Sequence, residues 1–226
     1  MNEEMITLQE TVEQVSNVHE SKFYRIPKRI VDIIAGLVGV ILLIPITIIV
    51  KICYICQHDF NPIFFKQERI GKNGKPIYIY KFRSMVPNAD QVLFQMLEGN
   101  EEIKREYKRY KKLKNDPRIT KVGKFIRNTS IDEFPQFLNL LKGDMSLVGP
   151  RPYLFREKED MGEYYETIIK CKPGITGYWQ VNGRSNTDFG KRLVLDEYYY
   201  YHRNLNLDAR IIGKTFAQVI LKKDVM

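Results

Sequence analysis

The sequence predicts a mainly helical α+β fold that combines a membrane-inserted helical segment, a β-hairpin and a cytoplasmic domain. Three observations carry this prediction. Residues 33–50 form an uncharged apolar run, an Asn73-Gly74 turn signal separates two apolar stretches, and apolar residues recur at helical spacing over much of the remaining chain. The 226 residues suffice for one domain of moderate size with an appendage.

The composition indicates an anionic partner. Lysine and arginine total 36 against 27 aspartates and glutamates, a formal net charge of +9. Such an excess fits nucleic acid, acidic lipid or a phosphorylated substrate. The three cysteines argue against a disulfide framework, and the single Cys53-x-x-Cys56 pair has no second pair to complete a zinc site. This cysteine usage fits a reducing, cytoplasm-facing location.

The apolar run from Ile33 to Val50 reads IIAGLVGVILLIPITIIV. A buried core helix is one interpretation. The membrane interpretation is favoured because the run is long and apolar on every face. About thirty residues with several acids precede it, which is not the pattern of a signal peptide.

Pro45 is predicted to break this helix, because proline lacks the amide proton and clashes with the carbonyl four residues back. The part before Pro45 has roughly 15 residues, or about 22 Å, which is short of a hydrocarbon core of about 30 Å. Basic residues flank both ends of the run, whereas a single span prefers them on one side. We therefore expect a re-entrant helix-break-helix, with a kinked single span as the alternative.

The chain is accordingly divided into an N-terminal tail (1–25), a re-entrant membrane hairpin (26–56) and a cytoplasmic domain (57–226). The basic run EEIKREYKRYKKLK at 101–114 is either a solvated helix face or a surface for anionic headgroups. Its tyrosines could suggest single-stranded nucleic acid binding, but an uncharged 18-residue membrane run has no part in that function. We therefore exclude nucleic acid as a partner.

Two adjacent acids, Asp132 and Glu133, precede the apolar stretch FPQFLNLL. Ser130-x-x-Glu133 matches a capping box, Gly143 is a plausible helix stop, and Pro135 conflicts with a cap at Ser130 unless Asp132 is the cap. In the simplest interpretation, the acids only stabilise a helix end.

Three arginines give these acids a second interpretation. Arg127 lies five residues before Asp132, Arg151 lies in a Gly-Pro-Arg-Pro turn, and Arg184 ends Val-Asn-Gly-Arg. Each could be a surface ion pair of little energetic value. Together with a helix N-terminus they could instead bind phosphate, which would place an ionised carboxylate beside an electrophilic phosphorus.

Several motifs occur in order along the chain: KFRSM (81–85), SIDE (130–133), LKGDMSLVGPRP (141–152), KPGITG (172–177) and QVNGR (180–184). They resemble the bacterial sugar transferases, the monotopic phosphoglycosyl transferases that prime glycan synthesis on a polyprenyl phosphate. The resemblance runs from about Pro27 to the C-terminus. It is to the small form of the family, and the first 25 residues have no counterpart in it.

The resemblance implies a chemistry for these residues. Asp132 would be the nucleophile and Glu133 its partner, with Mg2+ as the cofactor held by both, and Arg127, Arg151 and Arg184 would contact the phosphates or the nucleotide. The substrates would be a UDP-sugar, with glucose or galactose expected, and undecaprenyl phosphate. UMP would leave and a phosphosugar-aspartate would remain.

The resemblance also implies a location. The enzyme would lie in membrane lipid at the cell inner (cytoplasmic) membrane, with residues 57–226 as a cytoplasmic catalytic domain that serves exopolysaccharide or capsule synthesis. The sequence leaves the sugar, the separate role of Glu133 and the oligomeric state open, with a homo-oligomer as one option. The rival functions are a membrane-bound glycosyltransferase that releases UDP, and a non-enzymatic, membrane-anchored basic module.

Overall fold

The computed structural model describes residues 21–183 and 187–221. The α-helices are α1 (Lys22–Ile55), α2 (Ala89–Gly99), α3 (Glu101–Tyr110), α4 (Lys121–Asn128), α5 (Phe137–Lys142), α6 (Lys158–Met161), α7 (Tyr164–Ile168), α8 (Tyr178–Asn182), α9 (Phe189–His202) and α10 (Leu205–Leu221). The strands are β1 (Phe64–Ile70), β2 (Pro76–Phe82), β3 (Ser146–Val148) and β4 (Gly174–Thr176). Short 3-10 helices cover Lys72–Gly74, Ile131–Gln136 and Phe155–Glu157. The mainly helical α+β fold is confirmed.

Helix α1 runs for 34 residues as one helix, with Pro27 and Pro45 inside it. Its length and apolar composition would allow it to cross a membrane. The predicted separation into two helices at Pro45 is not found. Proline removes one backbone hydrogen bond, but Leu43 and Val50, on either side of it, are both buried against the domain and hold the helix in register. The helix also begins at Lys22, inside the predicted tail, whereas residues 1–20 lie outside the described part.

One stripe of α1 packs against the rest of the protein. Its buried residues recur at spacings of three, four, seven and eight, which place them on a single helix face: Tyr24, Asp32, Gly36, Gly39, Leu43, Val50 and Tyr54. The opposite face carries a row of exposed apolar side chains, which include Ile34, Leu37, Val38, Ile41, Ile44, Ile48 and Ile49. A row of this size on a folded domain is typical of a surface that meets lipid or another protein.

Polar contacts tie the first turns of α1 to the domain. Lys28 Nζ lies 2.7 Å from Asp208 Oδ2 at the start of α10, and Tyr24 Oη donates to the same oxygen at 3.1 Å. Asp32 Oδ1 accepts hydrogen bonds from Ser146 Oγ at 3.0 Å and the Leu147 amide at 2.7 Å. The buried carboxylate is therefore satisfied by β3.

The last turns of α1 contact the same domain. Tyr54 Oη donates to the Arg83 carbonyl, and the Arg83 guanidinium lies 4.6 Å from the Tyr54 ring centroid. Arg83 Nη2 also pairs with Asp59 at 2.9 Å. Both ends of the apolar helix are thus fixed to one body, about 45 Å apart along the chain at 1.5 Å per residue.

The predicted β-hairpin is confirmed. Strands β1 and β2 pair antiparallel from Phe64 opposite Phe82 to Ile70 opposite Pro76. In the connection, Asn73 and Gly74 have φ values of 59° and 74°, the left-handed region that this residue pair favours. The hairpin packs beside the 3-10 segment that carries the two acids.

A second, parallel pair joins β3 to β4, with Ser146 opposite Gly174 and Val148 opposite Thr176. This pairing brings the Gly-Pro-Arg-Pro turn after β3 next to the glycine-rich segment before α8. The Gly174 amide donates to the Pro150 carbonyl at 2.8 Å, which fixes the turn. The structure thereby places Arg151 near the hairpin and α8.

We predict that Gly39→Leu loosens α1 from the domain. A Cβ built at Gly39 lies 2.1 Å from the Phe137 ring, so a larger side chain forces the helix and α5 apart. Overpacking of this kind typically costs about 1–3 kcal/mol. Thermal unfolding in detergent should show a lower midpoint for Gly39→Leu, whereas Val38→Leu, on the exposed face of the same turn, should leave the midpoint unchanged. Equal midpoints for both variants would contradict the packing.

Candidate active site

The two acids lie in a tight turn rather than at the start of an α-helix. Ser130 has a left-handed backbone (φ 55°), and a six-residue 3-10 helix, Ile131–Gln136, carries Asp132, Glu133 and Pro135 into α5. The predicted capping box is wrong: Ser130 makes no side-chain capping bond, and the Glu133 carboxylate is paired elsewhere. The predicted stop at Gly143 is confirmed, with φ 83°.

The 3-10 conformation accommodates Pro135, and it replaces the α-helix N-terminus that was expected at the two acids. The acids lie in a short 3-10 helix and not in the first turn of an α-helix. A helix dipole therefore contributes little to stabilising their negative charge. The charge state of Asp132 and Glu133 instead follows from burial and from neighbouring side chains.

Asp132 is 8% exposed. Among the described residues, its carboxylate makes no hydrogen bond or ion pair with another side chain. Burial raises its pKa to about 6, and the neighbouring Glu133 charge adds to the rise, while Lys81 and Arg127 oppose it. Asp132 is therefore ionised near neutral pH but more basic than an exposed aspartate.

Glu133 has the opposite charge behaviour. Burial alone would raise its pKa, but attraction and a hydrogen bond from Lys81 outweigh burial and hold the pKa below its usual value. Lys81 Nζ lies 2.6 Å from Glu133 Oε1. The two adjacent carboxylates are thus chemically different: burial dominates at Asp132, whereas the contact with Lys81 dominates at Glu133.

Strand β2 and helix α4 supply the cations beside the acids. Lys81 is the penultimate residue of β2 and is flanked by the buried Phe82. Arg127 lies in the last turn of α4, and its Nε donates to Ser84 Oγ at 3.0 Å, just beyond the same strand. The charge of Arg127 lowers the pKa of Asp132, so the two side chains lie within electrostatic range of each other.

Glu133 also borders a narrow cleft rich in positive charge. The cleft is lined by Arg69 from β1, Lys81 and Arg151, with the amide side chains of Gln136 and Gln180. Arg151 is held there by its backbone amide, which donates to Asp196 Oδ2 at 3.2 Å, and Tyr153 Oη donates to the same oxygen at 2.7 Å. The structure therefore brings the predicted Arg151 close to the acids.

Arg69 is 6% exposed and lacks an acidic partner among the described residues. Its Nη1 donates to the Pro152 carbonyl at 2.9 Å and its Nη2 to Gln67, but its buried Nε has no partner, and neither has Gln180 Oε1. Burial lowers the pKa of Arg69 to about 10, and the nearby Arg151 lowers it further. The unpaired buried N–H donor of Arg69 beside crowded cations fits an anion-binding cleft, whereas the unpaired Gln180 oxygen is an acceptor.

A second layer of cations extends this cleft around Trp179. The Arg192 guanidinium lies 5.0 Å and that of Arg151 6.0 Å from the Trp179 ring centroid. Burial lowers the pKa of Arg192, and repulsion from Arg151 adds to this effect. The indole nitrogen of Trp179 has no hydrogen-bond partner in the described structure. An aromatic face with a free donor is typical of sites that bind a planar ligand.

Arg184 lies outside the described residues, so its predicted role stays a prediction. Three further residues of the site, Arg69, Lys81 and Arg192, received no role in the sequence analysis. The hairpin register contained a signal for two of them, because Arg69 pairs with Ile77, and Ile77, Ile79 and Lys81 alternate onto one face. Arg192 lies on α9, far along the chain, and only the tertiary fold brings it to Trp179.

The chain belongs to the bacterial sugar transferase family, whose model matches residues 23–222. The resemblance predicted from the motifs is thereby confirmed.

Three relatives illustrate the match. The undecaprenyl-phosphate galactose phosphotransferase of Salmonella typhimurium is 41% identical over 211 residues, which cover 93% of this chain and 44% of that protein. The UDP-glucose:undecaprenyl-phosphate glucose-1-phosphate transferase of Escherichia coli K12 is 36% identical and covers 88% and 41%. The exopolysaccharide production protein ExoY of Sinorhizobium fredii is 36% identical and covers 88% and 87%. The chain spans less than half the length of the first two relatives.

We predict that Asp132→Asn stabilises the protein at neutral pH. Because the pKa is raised to about 6, the folded state binds the proton more tightly than the unfolded chain. The ionised carboxylate therefore costs stability above pH 6, and the cost fades as the pH falls towards 4. The gain for Asp132→Asn should be at most about 3 kcal/mol at pH 7.5 and vanish near pH 4. Denaturant unfolding at both pH values measures it.

Glu133→Gln is the matched control, because the pKa of Glu133 is shifted in the opposite direction. Its ionised form is stabilised by Lys81, so the substitution should destabilise the protein at pH 7.5 and lose this effect as the pH falls below the ordinary glutamate pKa. Destabilisation by both variants at pH 7.5 would contradict the assignment of the costly charge to Asp132.

Proposed function

We propose that this protein transfers a sugar-1-phosphate from UDP-galactose or UDP-glucose to undecaprenyl phosphate and releases UMP. The reaction passes through a covalent aspartyl-phosphosugar and primes exopolysaccharide or capsule synthesis. The observation that carries the proposal is the buried Asp132, ionised at neutral pH with a pKa of about 6, beside a cleft crowded with arginine and lysine. The names of the relatives support the substrates.

The chemistry follows from the charge of the two acids. A carboxylate oxygen of Asp132 attacks the sugar-linked phosphorus of the donor, the bond from that phosphorus to the bridging oxygen breaks, and UMP leaves with the bonding electrons. A phosphate oxygen of undecaprenyl phosphate then attacks the same phosphorus, which restores the carboxylate and gives the lipid diphosphosugar. Its raised pKa makes Asp132 a better nucleophile than an exposed aspartate.

The cations serve to bind the diphosphate and to offset its repulsion from the acids. Arg127 and Lys81 lie beside Asp132, and Arg151 and Arg69 lie across the cleft from Glu133. Guanidinium groups bind phosphate oxygens in pairs and stabilise charge that develops at phosphorus. We include Arg184 among these contacts on the resemblance alone.

Asp132 and Glu133 also fit Mg2+, which the family resemblance implies. Mg2+ usually takes one or two carboxylates together with substrate phosphates and water, and among the described residues no third acid, histidine or cysteine joins this pair to make a closed site. The ion would neutralise part of the charge of the diphosphate. Lys81 holds Glu133 at 2.6 Å, so Glu133 would exchange this contact for the ion.

We further propose that α1 enters and leaves the membrane on the cytoplasmic side. Tyr24 and Tyr54, at its two ends, both contact the domain that carries the acids, and the exposed apolar row lies between them. If α1 crossed the bilayer, the polar domain that packs against it from Tyr24 to Tyr54 would have to enter the hydrocarbon core. Placed this way, the site meets a soluble nucleotide sugar and a lipid phosphate at the membrane surface.

The covalent step is tested with the donor alone. Purified protein incubated with UDP-galactose or UDP-glucose and Mg2+ should release about one UMP per active site and gain the mass of a hexose phosphate on the peptide that contains Asp132. Asp132→Asn should show neither effect, because an amide is a far weaker nucleophile. Mass spectrometry of the peptides and chromatography of the nucleotide provide the measurement.

Glu133→Gln is the control for the covalent step, because it keeps the nucleophile and should still form the adduct, at a lower rate. Release of UDP instead of UMP would favour a glycosyltransferase. Turnover with no hexose-phosphate adduct on the Asp132 peptide, or full activity of Asp132→Asn, would overturn the nucleophile assignment.

The membrane arrangement is tested by labelling single cysteines. Cys53, Cys56 and Cys171 are first replaced by serine, and single cysteines are then introduced at Lys22 and Phe60. Both should react with an impermeant maleimide in inverted vesicles, which expose the cytoplasmic face, and neither should react in right-side-out vesicles. Labelling from opposite sides would show that α1 spans the bilayer.

A further inference from the structure

A cavity of about 650 Å3 lies between the first three turns of α1 and the domain, and its size is typical of a ligand site. Half of the residues that line it are lysines or arginines. Asp32 is the single acid among the described residues that line it, and its carboxylate is already bound by Ser146 and Leu147. The cavity is therefore strongly positive.

Among the described residues, the contacts of Lys28, Arg29 and Lys172 show that this charge is neutralised only in part. Lys28 pairs with Asp208, and Arg29 donates to the carbonyls of Leu140 and Leu141 at 2.6 and 2.9 Å. Lys172, which is half-buried, makes no hydrogen bond or ion pair with another residue in the described ranges. Burial lowers the pKa of Lys172, and the Arg29 charge lowers it further. An anion in the cavity would relieve this repulsion.

The lining of the cavity also includes exposed apolar residues of α1 that continue the exposed apolar row of this helix. Ile26 and Ile30 line the cavity and are more than half exposed, and Phe23, one turn earlier, is 90% exposed. The cations belong to the turns that precede the uncharged run at Ile33, so they lie at the level of lipid headgroups when that run is in hydrocarbon. A ligand with a phosphate and apolar chains matches both parts.

We propose that this cavity binds the phosphate headgroup of an anionic membrane phospholipid, whose acyl chains lie along Ile26 and Ile30. The bound lipid would fix the first turns of α1 at the membrane surface. The site is distinct from the acid pair, because Ile131 and Phe134, which flank the acids, pack in the cluster that includes Leu43 and Val50 of α1, about 22 to 33 Å along the helix from Lys28. It is therefore not the place where an acceptor phosphate reaches Asp132.

The test measures lipid binding by the full-length protein in detergent, independently of turnover. Short-chain phosphatidylglycerol should bind, with a rise of the unfolding midpoint and a retained lipid in native mass spectrometry, whereas phosphatidylcholine of the same chain length should bind weakly. In the double variant Lys170→Gln with Lys172→Gln, affinity for phosphatidylglycerol should fall about tenfold or more, since each lysine would donate a charge-assisted bond.

The matched control is Arg105→Gln with Lys108→Gln, which removes the same charge from the exposed face of α3 and should leave the affinity unchanged. Loss of binding in this control, with retention in the cavity variant, would move the lipid site to α3 and overturn the proposal. Inorganic phosphate that produces the full midpoint shift by itself would show a soluble-anion site and would also overturn it. The lipid-free midpoint of each variant shows whether it is folded.

Discussion

The fold depends on one constraint: α1 must expose apolar side chains on one face while its other face is fixed to a polar domain. The buried stripe meets this constraint with few groups. Gly36 and Gly39 let α5 approach closely. The Asp32 carboxylate accepts hydrogen bonds from β3, in the place of a neighbouring strand. Because these contacts extend from Tyr24 to Tyr54, the helix fixes the positions of the hairpin, the acids and β3 relative to one another.

The site is organised by unequal burial of like charges. Positive groups crowd this cleft and are buried in it: burial first, and then the charge of Arg151, lowers the pKa values of Arg69 and Arg192. Ion-pair partners within the protein are scarce there among the described residues, apart from the link between Lys81 and Glu133. Such a cleft is less stable empty than filled by an anion, so binding energy of a diphosphate is supplied in part by relief of this repulsion. Under the proposed function, the uncharged apolar run and the charged cleft would serve two substrates of opposite solubility.

Much of the fold could be predicted from local patterns, and the failures have local causes. The apolar run, the Asn73-Gly74 turn and the stop at Gly143 each depend on residues adjacent in sequence. The capping box at Ser130 failed because a tertiary partner, Lys81, took the carboxylate that the box required. Pro45 did not divide the helix because packing on both sides outweighs one lost hydrogen bond. Sequence patterns singled out the acids, Arg127 and Arg151 as candidates, and the hairpin register held a signal for Arg69. Arg192 joins the site only through the tertiary packing of α9.

The raised pKa of Asp132 couples the charge of an incoming ligand to a proton. A diphosphate that entered with its charge uncompensated would add negative potential beside a carboxylate already close to its titration point. That carboxylate would then take up a proton from solvent and lose the negative charge that makes it nucleophilic. Glu133, held by Lys81, would stay ionised. Under the proposed function, protonation of Asp132 would suppress attack on a diphosphate whose charge is not balanced, and no moving part would be needed.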